Sequence, residues 1–126
     1  MAEQATLTRE YTIPLRTYWF RVPRYDRTRR VVKGINEFIA HHMKVNDRAI
    51  ANVKLDVLFN NEIWYRGRAS PPSKITVKAT KTGEQVAVTF VKEHQHITFA
   101  RSKHAKLHKI AEKQSEKKES KNRTNP

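Results

Sequence analysis

The sequence has no cysteine, three glycines in 126 residues, and twelve acids against twenty-six lysines and arginines. Without cysteine there is no disulfide, no thiolate nucleophile and no Cys-type zinc site, which fits a reducing compartment such as the cytosol. Three scattered glycines build neither a phosphate loop nor a dinucleotide-binding turn. The apolar runs are only a few residues long, so no membrane insertion is expected. The opening MAEQATLTRE has no apolar stretch, so no signal peptide is expected either.

What is abundant is positive charge. The formal net charge is +14 and the pI about 10.4. A small body with that excess repels itself unless it meets a polyanion. Residues 9–33 are net +6, residues 101–126 again net +6, and the long middle only net +3. The hydrophobic fraction is 37%, low for a globular chain of roughly 45–50%, and it concentrates in the first hundred positions. One domain over 1–96 and a basic, partly helical to disordered tail over 97–126 are expected.

The expected fold class is α+β: a small mixed or antiparallel sheet with two helices packed on one face. Leu7 to Leu15 alternates as a strand. Residues 16–27 read as an irregular loop containing Pro23. Thr28 then reads as the N-cap of a helix with Val31, Val32, Ile35, Phe38, Ile39 and Met43 on one face. Gly34 inside it costs about 1 kcal/mol against alanine, a loss that close packing would explain. Val53 to Val57 reads as a short strand and Asp56 as the cap of a second helix, which Gly67 ends. KITVKATK and QVAVTF make a hairpin around Gly83, and HQHITF reads as an extension of its second strand. The expected core is Ile13, Ile35, Phe38, Ile39, Phe59, Ile63, Trp64, Ile75 and Val77. SEKKESKNRTNP, at 115–126, has no apolar residue and is expected to be disordered alone.

LRTYWFRVPRYDRTRR, at 15–30, holds six arginines and four rings but no lysine. Guanidinium groups match phosphate bidentately and stack on bases, and rings among them suit unpaired nucleotides. An ordinary solvated face mixes both charge signs; this stretch sets one acid, Asp26, against its six arginines. Arg16, Arg21, Arg24, Arg27, Arg29, Arg30 and Lys33 are therefore the main candidate phosphate contacts, with Trp19 and Tyr25 as candidate stacking rings. Arg66, Arg68, Lys74 and Lys78 bracket a Pro-Pro turn as a second patch. Arg101, Lys103, Lys106 and Lys109 are the candidates on the tail.

Enzymatic chemistry is thinly supported. His94 with His96 and His104 with His108 have ligand-like spacing, but no carboxylate motif accompanies them and cations surround them. No metal and no cofactor is expected. Asp56 and Glu62 could serve a nuclease, yet a helix cap and an ordinary helical acid explain them as well. Two non-enzymatic alternatives remain: a structural RNA-binding component, or a free nucleic-acid-binding regulator or chromatin-like protein.

REYTIPLR at 9–16, VPRYDRTRRVVKGINEFIAHHMK at 22–44 and VKLDVLFNNEIWYRGRASPPSKITVKA at 53–79 carry more. Over about residues 7–93 the chain resembles the large-ribosomal-subunit protein thirty-one family of archaea and eukaryotes. The most specific piece is the Leu-Asp…Asn…Ile-Trp…Arg-Gly run at 55–67, followed by Pro-Pro. The resemblance implies a structural protein of the cytoplasmic ribosome that is not an enzyme and not a homo-oligomer. It implies binding to large-subunit ribosomal RNA near the rim of the polypeptide exit tunnel. Neighbouring ribosomal proteins and factors that meet the nascent chain are the implied further partners. Thr28-Arg29-Arg30 stands where relatives often have Ala-Pro-Arg, and Tyr18-Trp19-Phe20 is richer in rings than the family pattern.

Overall fold

The computed structural model describes the backbone of residues 6–123 and the side chains of 6–118. The chain divides into two compact units, 1–92 and 93–126. The first runs β1 (Thr6–Pro14), α1 (Arg16–Trp19), α2 (Arg27–His42), β2 (Val53–Leu55), α3 (Val57–Trp64), β3 (Lys74–Thr82) and β4 (Gln85–Phe90). The second holds α4 (Gln95–Arg123).

The four strands form one mixed sheet in the order β1-β3-β4-β2. β1 pairs antiparallel with β3 over nine residues, and Tyr11 lies opposite Val77. β3 and β4 form the expected hairpin, closed by Gly83 with φ +61°. β2 joins the far edge parallel to β4. Period-2 alternation then assigns two faces. Ile13, Val77, Ala79, Val86 and Val88 are fully buried, and with Val31, Ile35 and Ile39 of α2 and Phe59 and Ile63 of α3 they make one core. The helices thus cover a single face of the sheet. The carbonyls just past the end of α2 are met by a lysine of the sheet: Lys81 Nζ donates to Met43 O at 3.2 Å and Lys44 O at 2.9 Å, which suits the negative end of the helix.

Several expectations are corrected. Residues 16–27 are not an irregular loop. Pro14 ends β1, Leu15 is buried, and the chain turns at once into α1 and later a 3₁₀ turn at Arg24–Asp26. Thr28 is not the cap of α2, because the helix starts two residues earlier than that cap implies, at Arg27, with Asp26 at its N-cap position. Thr28 is instead fully buried, its hydroxyl donating to Gly67 O at 2.8 Å and Arg68 O at 3.0 Å. Trp64 is half-buried and lies outside the core cluster, since α3 turns it to the helix flank. The stretch 94–99 does not prolong β4; from Gln95 it begins α4. Residues rich in Lys, Ala, Glu and Gln favour helix wherever no sheet edge competes, and α4 runs on through Arg123. Of the segment 115–126, residues 124–126 lie outside the described residues.

Candidate nucleic-acid interface

α1 is the key to the arginine-rich stretch. It is only four residues long, and it lays Tyr18 and Trp19 against the core beside α2. Gly34 makes the approach possible. A Cβ built there would sit 2.6 Å from Tyr18 Cγ and 2.7 Å from Cδ1, distances no side chain tolerates. Tyr18 therefore occupies the space that any other residue at position 34 would fill.

Both rings then carry an arginine of the helix they pack against. The Arg27 guanidinium lies 4.9 Å from the Trp19 ring centre, and Arg27 Nε donates to Val22 O at 3.5 Å. The Arg30 guanidinium lies 5.6 Å from the Tyr18 ring centre and pairs with Glu37 at 3.2 Å. Such cation–π contacts contribute about 0.5–2 kcal/mol each, depending on desolvation. Arg27 and Arg30 are thus half-buried and fixed in direction. Arg16, Arg21, Arg24, Arg29 and Lys33 are exposed.

The rings separate into two classes. Trp19 is packed inward and its indole N–H is buried, with no hydrogen-bond partner among the described residues. Tyr25 is 70% exposed and Phe20 56% exposed. Sequence reasoning missed Phe20, whose ring lies under the Arg21 guanidinium at 5.2 Å; its position immediately before Arg21 was the available signal. Phe20 and Tyr25 flank Pro23, and so the outward rings sit on the same short turn as Arg21 and Arg24.

The second patch expected around the Pro-Pro turn comes apart. Arg66 and Arg68 follow α3 and are exposed. Thr28 ties that segment to the start of α2 through Thr28 N to Arg68 O at 3.2 Å, in addition to its hydroxyl bonds. This brings Arg66 and Arg68 to the α2 N-terminus, alongside the first cluster. Gly67 between them has φ +91°, a conformation that favours glycine. Lys74 and Lys78 go elsewhere: they lie on β3 at positions that alternate with buried Val77 and Ala79, and so project from the sheet face that the helices leave open.

In the second unit, Arg101, Lys103, Lys106 and Lys109 are all exposed on α4. Lys103 and Lys106, three apart, share a helix face. Arg101 pairs with Glu93 at 2.5 Å. His94 and His96 stack at 5.8 Å. Among the described residues no group of three or more His, Asp or Glu is placed to hold a metal ion, and no helix is long and apolar enough to cross a membrane.

A family profile described as Ribosomal protein L31e matches residues 5–86, from β1 into β4. The chain belongs to the ribosomal protein L31e family. Its relatives include proteins named large ribosomal subunit protein eL31. The one from Methanoregula boonei is 45% identical over 71 residues, covering 56% of this chain and 74% of the relative. That from Methanocaldococcus jannaschii is 41% identical over 81 residues, 64% of this chain and 87% of the relative. A third, from Methanopyrus kandleri, is 45% identical over 73 residues, 58% and 78% of the two chains. The L31e match contains the whole arginine cluster, Gly34 and the Thr28 clamp, and ends before α4. As an L31e protein the chain is a ribosomal protein, of the cytoplasmic ribosome, in a structural family and not a catalytic one.

Proposed function

We propose that this chain is a structural constituent of the large ribosomal subunit that binds ribosomal RNA through the surface where α1, the turn around Pro23 and the start of α2 meet. The observation that carries this reading is the division of labour among the arginines. Arg27 and Arg30 are held against Trp19 and Tyr18, while Arg16, Arg21, Arg24 and Arg29 are left exposed with Lys33. Arg66 and Arg68 join them through Thr28. These seven exposed cations suit phosphate oxygens, and Phe20 and Tyr25 offer stacking faces to unpaired bases. The N-terminus of α2 adds its positive dipole to the same surface.

The lysines of α4, with Arg101, form a further contact for RNA backbone or an acidic neighbour. A position near the exit-tunnel rim, among other ribosomal proteins and the factors that meet the nascent chain, rests on the family resemblance alone. Crosslinking of the chain in cells followed by sequencing of the bound RNA tests the reading. One ribosomal RNA neighbourhood, shared with Arg21, Arg24 and Tyr25 as crosslinked positions, supports it. Dispersed messenger RNA or DNA sites would instead identify a free regulator.

A further inference from the structure

The sheet has a face that no helix of the first unit covers. Its outward positions along β1, β3 and β4 are exposed except for Thr80 and Thr89, which are half-buried, and their chemistry is unusual. Thr8 lies opposite Thr80 and Thr12 opposite Thr76, with hydroxyl oxygens 3.5 Å and 3.4 Å apart. Lys78 stands between the two pairs, opposite Glu10. Lys74 marks one end of β3, and Lys54 lies on the edge strand β2, in the row of Ala87 and Thr80. Around Lys54 the surface dips into a hollow whose wall includes Asn52 and Gln85.

We propose that this open face is a second RNA surface, one that lies across the shallow minor groove of an RNA double helix. The proposal rests on the ribosomal RNA-binding reading and adds a site and a ligand class to it. Three properties select this occupant. The face carries no ring, so it is no platform for unstacked bases. Its apolar residues are small or confined to the rim, Ala87 and Pro14, whereas a protein interface needs a hydrophobic core of larger side chains. What it does carry is hydroxyls in ordered rows, with three lysines against Glu10 and, in the wall of the hollow, Glu84. An A-form minor groove is wide and shallow and displays 2′-hydroxyls between two lines of phosphates. A hydroxyl both donates and accepts, so threonine meets a 2′-OH in either sense. Four strands spaced about 4.8 Å apart, with β1 and β3 each roughly 30 Å long, give a surface of the breadth such a groove requires. With the arginine cluster on the helical side, the domain would hold two RNA segments at once.

The test uses the full chain and a short blunt RNA duplex, the DNA duplex of the same sequence, and a single-stranded RNA. Fluorescence anisotropy is read at two salt concentrations. The wild type is expected to bind the RNA duplex about tenfold more tightly than the DNA duplex, the effect of a few net hydroxyl bonds. A fourfold Thr8→Val, Thr12→Val, Thr76→Val, Thr80→Val variant keeps the β-branched shapes. It should lose that preference and keep wild-type affinity for single-stranded RNA. The fourfold Thr→Ser variant, which restores hydroxyls, should recover the preference. Replacing Lys54, Lys74 and Lys78 by Gln should weaken both duplexes alike and flatten the salt slope by about 2 to 3. If the Val variant binds the RNA duplex as the wild type does, or the wild type shows no RNA preference, the sheet-face proposal is wrong while the arginine surface stands. If these variants leave duplex binding intact but lose incorporation into ribosomes, the face docks a protein and the proposal is again overturned. A wild-type chain that binds no RNA of any kind would instead overturn the RNA-binding reading itself.

Discussion

Gly34→Ala separates two opposing effects of known size. In an exposed helix interior the change should stabilise by about 1 kcal/mol, through backbone entropy. Here the new methyl would stand 2.6 to 3.0 Å from three atoms of the Tyr18 ring. Those are ring atoms beside α1, not the flexible end of a long side chain, so α1 must shift as a body. Overpacking of that kind costs about 1–3 kcal/mol, and displacing Tyr18 also loosens Arg30, whose guanidinium lies over that ring. The substitution should therefore be destabilising by about 1 kcal/mol net, and single-stranded RNA affinity should fall as the surface loses its shape. Urea denaturation of the wild type, Gly34→Ala, Tyr18→Ala and the double variant forms a thermodynamic cycle. In the Tyr18→Ala background the clash is gone, and Gly34→Ala should become stabilising. Stabilisation by Gly34→Ala in the wild-type background would refute the claim that Tyr18 packs on this glycine.

Thr28→Val keeps the buried shape and deletes the donor to Gly67 O and Arg68 O. Arg68 O keeps the Thr28 backbone N–H, so the cost should be about 1–3 kcal/mol for the Gly67 carbonyl left unmet, and a loss under about 0.5 kcal/mol by urea titration would count against the clamp. Phe20→Ala and Tyr25→Ala should each reduce single-stranded RNA affinity by about 1–3 kcal/mol with the melting temperature unchanged. Trp19→Ala should do the reverse, lowering stability first, because Trp19 is packed against the core; equal effects of all three on binding would show the rings were wrongly divided. With seven exposed cations meeting phosphate, the log–log salt slope on single-stranded RNA should be about −5, and a slope near −1 would mean that few of them do.

Alternation and helical spacing make most of the first unit legible in the sequence. The Ile75-Val77-Ala79 face, the Val31-Ile35-Ile39 stripe and the turn at Gly83 each follow from local pattern, and each is where it was expected. The parallel pairing of β2 with β4 was not legible, because a three-residue strand carries no register information of its own. Nor was the division of the arginine-rich stretch. Which rings turn inward depends on Gly34, sixteen positions after Tyr18, and no local pattern links the two. Thr28 misled for a related reason: a threonine before a helical stripe looks like a cap, yet its partners, Gly67 and Arg68, are forty residues away. The same separation hid the gathering of Arg66 and Arg68 beside α2 and the departure of Lys74 and Lys78 to the other face.

The central claim is that exposed arginines around the start of α2 hold this protein on the large ribosomal subunit. Sedimentation of the tagged full chain through sucrose gradients tests it most directly, with an Arg21→Glu, Arg24→Glu, Arg29→Glu variant alongside. All three residues are exposed, so the variant should fold as the wild type does by circular dichroism. The wild type should travel with the large subunit and the variant should remain near the top. A wild-type chain found wholly at the top, or a triple reversal that sediments with the subunit as the wild type does, would contradict the account.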